Sequence, residues 1–118
     1  MTRTATVLLD VFSGRENTRW VLDAQQTREL ERRLAHLQRA TSADVADTGR
    51  LGYRGLRVTI HDDAGDASFV VADGIVRLAS ERRFDPGSQF ELWLLGTGAK
   101  HVEPALLQRI AASVRERR

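Results

Sequence analysis

Residues 56–79 read Leu56-Arg57-Val58-Thr59-Ile60-His61-Asp62-Asp63-Ala64-Gly65-Asp66-Ala67-Ser68-Phe69-Val70-Val71-Ala72-Asp73-Gly74-Ile75-Val76-Arg77-Leu78-Ala79. Leu56, Val58 and Ile60 alternate with Arg57, Thr59 and His61, the period-two pattern of a strand with one buried and one wet face. Asp62 to Asp66 is rich in turn formers and reads as a hairpin loop. Phe69 to Ala72 is a second strand. Asp73-Gly74 then supplies the two positive φ angles of a type I′ turn, and Ile75 to Ala79 returns as a third strand. This stretch predicts a three-stranded antiparallel meander.

Working outward, Thr4 to Phe12 is apolar on both alternating faces (Val7, Leu9, Val11; Leu8, Phe12), as expected of a central strand. The pattern leaves open whether it joins the meander at an edge or inserts within it. Ser13 to Trp20 reads as a loop. Asp23 is a helix N-cap and Gln26 completes an Asp-x-x-Gln capping box. Leu30, Leu34 and Leu37 then place one apolar stripe on the core, and Glu29 stands at pairing distance from Arg32 and Arg33. The helix is expected to end near Ala40. Thr41 to Gly52 is polar and punctuated, a loop with room for a helical turn at 43–46.

Beyond the meander, Ser80 to Gly87 reads as a charged loop. Ser88 to Thr97 carries two signals. Phe90, Leu92 and Leu94 alternate like a strand, whereas Ser88-x-x-Glu91 is a capping box and Gly98 suits a helix C′ position; helix is the favoured reading. Pro104 opens the last helix at its first position, with Leu107, Ile110, Ala111 and Val114 on the buried face. The element order β-α-β-β-β-α-α predicts a single α+β domain over residues 1–118. Its core would be a four-stranded, mainly antiparallel sheet with the helices packed mainly on one face.

Composition bounds the function. The chain has 118 residues, no cysteine and a net charge of +2. That removes disulfides, thiolate metal sites and cysteine nucleophiles. Of the 18 cations only Lys100 is lysine, and 16 acids offset them. Interleaved acids disfavour a nucleic-acid-binding module, which needs a clear basic stripe. No apolar run reaches the ~18 residues of a membrane span, and the N-terminus lacks a signal-peptide layout, so a cytoplasmic protein is expected.

Two clusters stand out as candidate ligand-binding residues. Arg15, Asn17, Arg19 and Trp20 lie between the first strand and the first helix. Tyr53 and Arg54 lie between Gly52 and Gly55. Guanidinium forks pair with planar anions, and an aromatic ring supplies an apolar wall. The bland reading of both is a turn with solvated arginines. His36, His61 and His101 stand in no nucleophile motif. His61 with Asp62, Asp63 and Asp66 lacks the ligand order of a calcium loop. No catalytic residue, metal or cofactor is therefore expected.

Ser13-Gly14-Arg15-x-Asn17-x-x-Trp20 and Leu51-Gly52-Tyr53-Arg54-Gly55 together resemble a pattern of small uncharacterised bacterial proteins; this chain has Thr18 where those carry proline. The resemblance implies that the two clusters belong together and transfers no activity. The expectation is a small non-enzymatic binding or accessory protein. It would present an arginine/aromatic surface to a partner protein, a peptide or an acidic small molecule. The alternative is a cofactor-free isomerase or cyclase on an anionic substrate, with Asp10 or Tyr53 handling protons. The apolar Phe90, Leu92, Trp93 and Leu95 leave room for a homodimer.

Overall fold

The computed structural model describes residues 3–11, 18–40 and 53–116. Its strands are β1 (Thr4–Val11), β2 (Arg19–Leu22), β3 (Tyr53–Asp62), β4 (Gly65–Ala72), β5 (Ile75–Arg77) and β6 (Arg82–Phe84). Among the described residues there are also three α-helices, α1 (Ala24–His36), α2 (Gln89–Thr97) and α3 (Pro104–Glu116), with a 3-10 turn at Pro86–Ser88 before α2. One antiparallel sheet runs in the order β2-β1-β3-β4-β5-β6. The α+β class and the single sheet agree with expectation; the strand count does not.

The sheet has six strands where the hydrophobic pattern predicts four. Both additions are short. Arg19–Leu22 folds back on β1 with Val7 opposite Trp20 and Ala5 opposite Leu22. Four residues are too few for periodicity to separate a strand from a loop, and the pairing comes from the exposed ladder of β1. Arg82–Phe84 pairs with β5, with Ile75 opposite Phe84. Its two arginines conceal it in the sequence. Arg83 turns toward the helices and donates to Leu34 O at 2.8 Å and to Glu81 Oε1 at 2.9 Å.

The meander forms in the order read, but its first turn is tighter and its last strand shorter. Asp62 and Asp66 already pair within β3 and β4, leaving Asp63 and Ala64 to turn, and β5 ends at Arg77 instead of Ala79. Asp73 and Gly74 take φ of 56° and 76°, the left-handed pair of a type I′ turn. The first strand lies centrally, between β2 and β3. The bulge in its pairing with β3 falls between Asp10 and Val11, where Asp10 faces Gly55 and Val11 faces Tyr53. Arg54 is thus the extra residue of the bulge. Gly55 has φ of 110°, and a Cβ there would lie 2.5 Å from Val71 O. Only glycine lets β4 close on the bulge.

Helix α1 starts with the expected capping box. Asp23 accepts from the Gln26 N–H at 2.7 Å, and Gln26 Oε1 accepts from the Asp23 N–H at 3.0 Å. The helix stops at His36, short of Ala40. The chain then runs extended along β6, where the Ala40 N–H donates to Arg82 O and the Phe84 N–H donates to Gln38 O. Pairing to an open edge ends the helix early. The expected loop at 41–52 lies outside the described residues.

Helix α2 forms where the capping signal placed it, but another residue caps it. Ser88 has φ of 55° and makes no side-chain cap. The carboxylate of Asp85 instead accepts from the Phe90 N–H at 2.7 Å and the Glu91 N–H at 2.9 Å. Asp85 is buried, and desolvation pushes its carboxyl above the ordinary value of 3.8 against the pull of those two donors. Helix α2 is apolar nearly all round, so even Glu91 is fully buried.

The core lies between one sheet face and the three helices. Val7, Leu9, Leu56, Val58, Val71 and Val76 meet Leu30, Phe90, Leu94, Ile110 and Val114 there. Among the described residues no helix is long and apolar enough to cross a membrane.

Candidate functional site

Strand geometry sends alternate side chains to opposite faces. The face away from the helices carries Leu8 and Asp10 of β1, Arg19 and Val21 of β2, and Arg57, Thr59 and His61 of β3. Arg77 of β5 and Arg82 of β6 lie there too; all of these are exposed or half-buried. The pairing register brings one residue of each strand into a single row: Arg19, Leu8, Arg57, Val70, Arg77, Arg82. At 4.7–4.9 Å per strand the row spans about 24 Å. Four guanidinium groups therefore line one track, with aliphatic side chains between three of them.

Its surroundings are nearly neutral. On one side runs a hydroxyl-bearing row of Val21, Thr6, Thr59 and Ser68. On the other, Asp10 stands opposite Gly55. None of Arg19, Arg57, Arg77 and Arg82 forms an ion pair among the described residues. The arginines of α1 behave differently. Glu29 holds Arg32 at 2.6 Å and Arg33 at 2.7 Å, as the helix spacing predicted. Those two guanidinium groups lower the carboxyl pKa of Glu29, the Arg32 hydrogen bond most.

The sequence-derived candidates divide. Arg15 and Asn17 lie outside the described residues. Arg19 is exposed on the open face, whereas its neighbour Trp20 points through the sheet into the core. The indole Nε1–H donates to Thr97 Oγ1 at 2.9 Å, and the ring lies parallel to His101. Buried there, the Trp20 ring belongs to the packing of the turn after α2. Tyr53 stands in β3 opposite Val11, and Arg54 is exposed at the bulge. Strand β1 separates the two motif segments, so residues 18–20 and 53–55 flank the same end of it, about 10 Å apart.

The hairpin acids have local work. His61 contacts Thr6 Oγ1 through Nε2 at 3.1 Å and Asp66 Oδ1 through Nδ1 at 3.0 Å. Asp62 accepts from the Ala64 N–H in the turn. Among the described residues no three His, Asp or Glu side chains converge as metal ligands would.

A concavity of about 590 Å³ lies between α1 and α2 against Gln25, Arg28, Arg32 and Trp93. Arg33 covers the Trp93 ring at 4.9 Å from its centroid. Arg32 and Arg33 are already held there by Glu29.

Sequence reasoning missed Arg57, Arg77 and Arg82 as members of one surface. Arg57 and Arg77 each occupy a wet-face position of a recognised strand, a signal that was present. Their alignment depends on register, and Arg82 belongs to an unrecognised strand. Compared with protein-family models, curated proteins and solved structures, the chain matches none.

Proposed function

We propose that this is a small non-enzymatic binding or accessory protein that offers an arginine-lined sheet face to an acidic peptide segment of a partner. The observation that carries this reading is the row of Arg19, Arg57, Arg77 and Arg82 across the open face. Guanidinium groups bind carboxylates bidentately, and the leucine and valine between them give an extended ligand apolar contact. Arg54, exposed at the bulge, lies near the same end of β1 as Arg19. Trp20 supports the row from the core side.

A peptide fits better than a nucleic acid. Single-stranded nucleic acids bind on aromatic platforms that stack the bases, and the residues between the arginines of this row are Leu8 and Val70.

The test is fluorescence anisotropy with a labelled oligoglutamate peptide, the wild type against Arg57→Glu/Arg77→Glu. The double reversal is expected to lower affinity at least tenfold and to flatten the salt dependence. Unchanged binding would refute the assignment. Tighter binding of a single-stranded oligonucleotide than of the peptide, with a steep salt slope, would turn the reading to nucleic acid.

A further inference from the structure

Three polar side chains on the open face form a relay of hydrogen bonds that the sheet ladder does not require. Thr6 of β1, His61 of β3 and Asp66 of β4 come from three neighbouring strands. His61 Nε2 lies 3.1 Å from Thr6 Oγ1, and its Nδ1 lies 3.0 Å from Asp66 Oδ1. Register puts them there. Asp66 stands directly opposite His61 on one side, and Thr6, two residues beyond its partner Thr4, is its diagonal neighbour on the other.

The order of the bonds fixes where the protons are. An ionised carboxylate only accepts, so Asp66 takes its bond from an Nδ1–H. In the neutral imidazole Nε2 is then bare, and the Thr6 hydroxyl must donate to it. A hydroxyl whose proton points at a base, with the base held by a third group, is the arrangement that activates a nucleophile. The hydroxyls of Thr59 and Ser68, on the same face, bond to each other at 3.0 Å instead.

The neighbours of Thr6 suit an acyl group. Val21 stands opposite it and is 64% exposed, an apolar rest for a short alkyl chain beside the hydroxyl. Arg57 is exposed on the next strand, diagonal to Thr6, where a long side chain reaches a carbonyl oxygen that gains negative charge.

The geometry points to Thr6 as the acceptor of an acyl group from an activated ester or thioester. Thr6 Oγ1 attacks the acyl carbon while His61 Nε2 takes the hydroxyl proton. The tetrahedral adduct then collapses, and the bond from the acyl carbon to the leaving oxygen or sulfur breaks. The leaving atom departs with the bonding pair and receives the proton from the imidazolium. The products are an ester on Thr6 and a free alcohol or thiol, and His61 ends neutral as it began. Asp66 touches only the imidazole and is a positioning residue. This is one covalent event without turnover; it goes beyond the binding reading and does not depend on it.

The probe is p-nitrophenyl acetate. Mass spectrometry of the intact chain and its peptides locates the acetyl groups, and hydroxylamine cleavage tells esters from amides. A hydroxylamine-labile acetyl on Thr6 is expected, with a single burst of nitrophenolate. Its rate should rise with pH as the imidazole loses its proton, roughly between pH 5 and 8. His61→Gln should slow the reaction about a hundredfold and flatten that rise. Asp66→Asn should slow it roughly tenfold or more, and Asp66→Glu should restore part of the rate. Thr6→Ser should still be acetylated. All three side chains are exposed or half-buried, so these variants keep the core.

Equal rates in the wild type and His61→Gln overturn the proposal. So does an acetyl found only on Lys100, the terminal amine, Thr59 or Ser68. Steady nitrophenolate release with no acetyl retained also overturns it, because the site then hydrolyses the donor and keeps nothing.

Discussion

The indole of Trp20 lies flat against Gly98, so close that a Cβ at position 98 would fall 2.5 Å from Cζ2 and 2.6 Å from Cη2 of the ring. Gly98 has φ of −93°, open to any residue, so its requirement for glycine is steric. The sequence reading gave it the left-handed C′ role of a helix end. A tryptophan 78 positions away in the chain is the actual reason.

Gly98→Ala should therefore cost about 1–3 kcal/mol by overpacking. Trp20→Phe deletes the ring atoms that the new methyl meets, along with the hydrogen bond to Thr97. In a double-mutant cycle read by urea denaturation, Gly98→Ala should cost clearly less in the Trp20→Phe background. Additive costs would show that the two residues do not touch.

Gly55→Ala should be more damaging, because two penalties coincide. The alanine must adopt φ of 110° and push into Val71 O and the Ala72 Cβ at once. A loss of about 3 kcal/mol or more is expected. Thermal denaturation checks it, and a change below 1 kcal/mol would mean that the bulge relaxes freely.

Asp85 gives the stability a pH dependence of defined sign. Burial raises its carboxyl above 3.8, so the folded state holds the proton more tightly than the unfolded state does. Its contribution is fully present below the unfolded value and is lost as pH rises through the folded one. Asp85→Asn carries no such titration. The unfolding free energy of the wild type minus that of Asp85→Asn should fall as pH is raised from about 3.8, by at most 1.36 kcal/mol per unit, and then level off. A difference that grows with pH over that range would contradict the burial of the charge.

Asp23→Ala should remove the capping box of α1 at a cost of about 1 kcal/mol. Because Asp23 is exposed and lies beyond the end of β2, outside the arginine row, oligoglutamate binding should not fall. Loss of binding with the cap would show that α1 takes part in the site.

What could be read from residue order was whatever depends on near neighbours. The alternation of Leu56 to Ile60, the Asp73-Gly74 turn, the Asp23–Gln26 cap, the Glu29 ion pairs and Pro104 at the start of α3 are all set within a few residues. The α+β class, the single sheet and helices on one face followed from them. The sheet's extra strands did not. Arg19–Leu22 and Arg82–Phe84 are strands only because β1 and β5 offer unpaired backbone groups beside them, and no local pattern records that. The same holds for the cap of α2, where Asp85 outcompetes Ser88 because the chain bends its carboxylate over two amides.

The candidate surface divides along the same line. Residue order alone marked Arg15, Asn17, Arg19, Trp20, Tyr53 and Arg54 as residues in an unusual setting, and it put Arg57 on the wet face of a strand. Tertiary structure decided that Arg19 and Trp20 point to opposite faces, because neighbouring residues of a strand must. It also decided, through hydrogen-bond register across five strand pairs, that Arg19, Arg57, Arg77 and Arg82 share one row. Register is set by which apolar faces must be buried together, a property of the whole sheet and of no single segment.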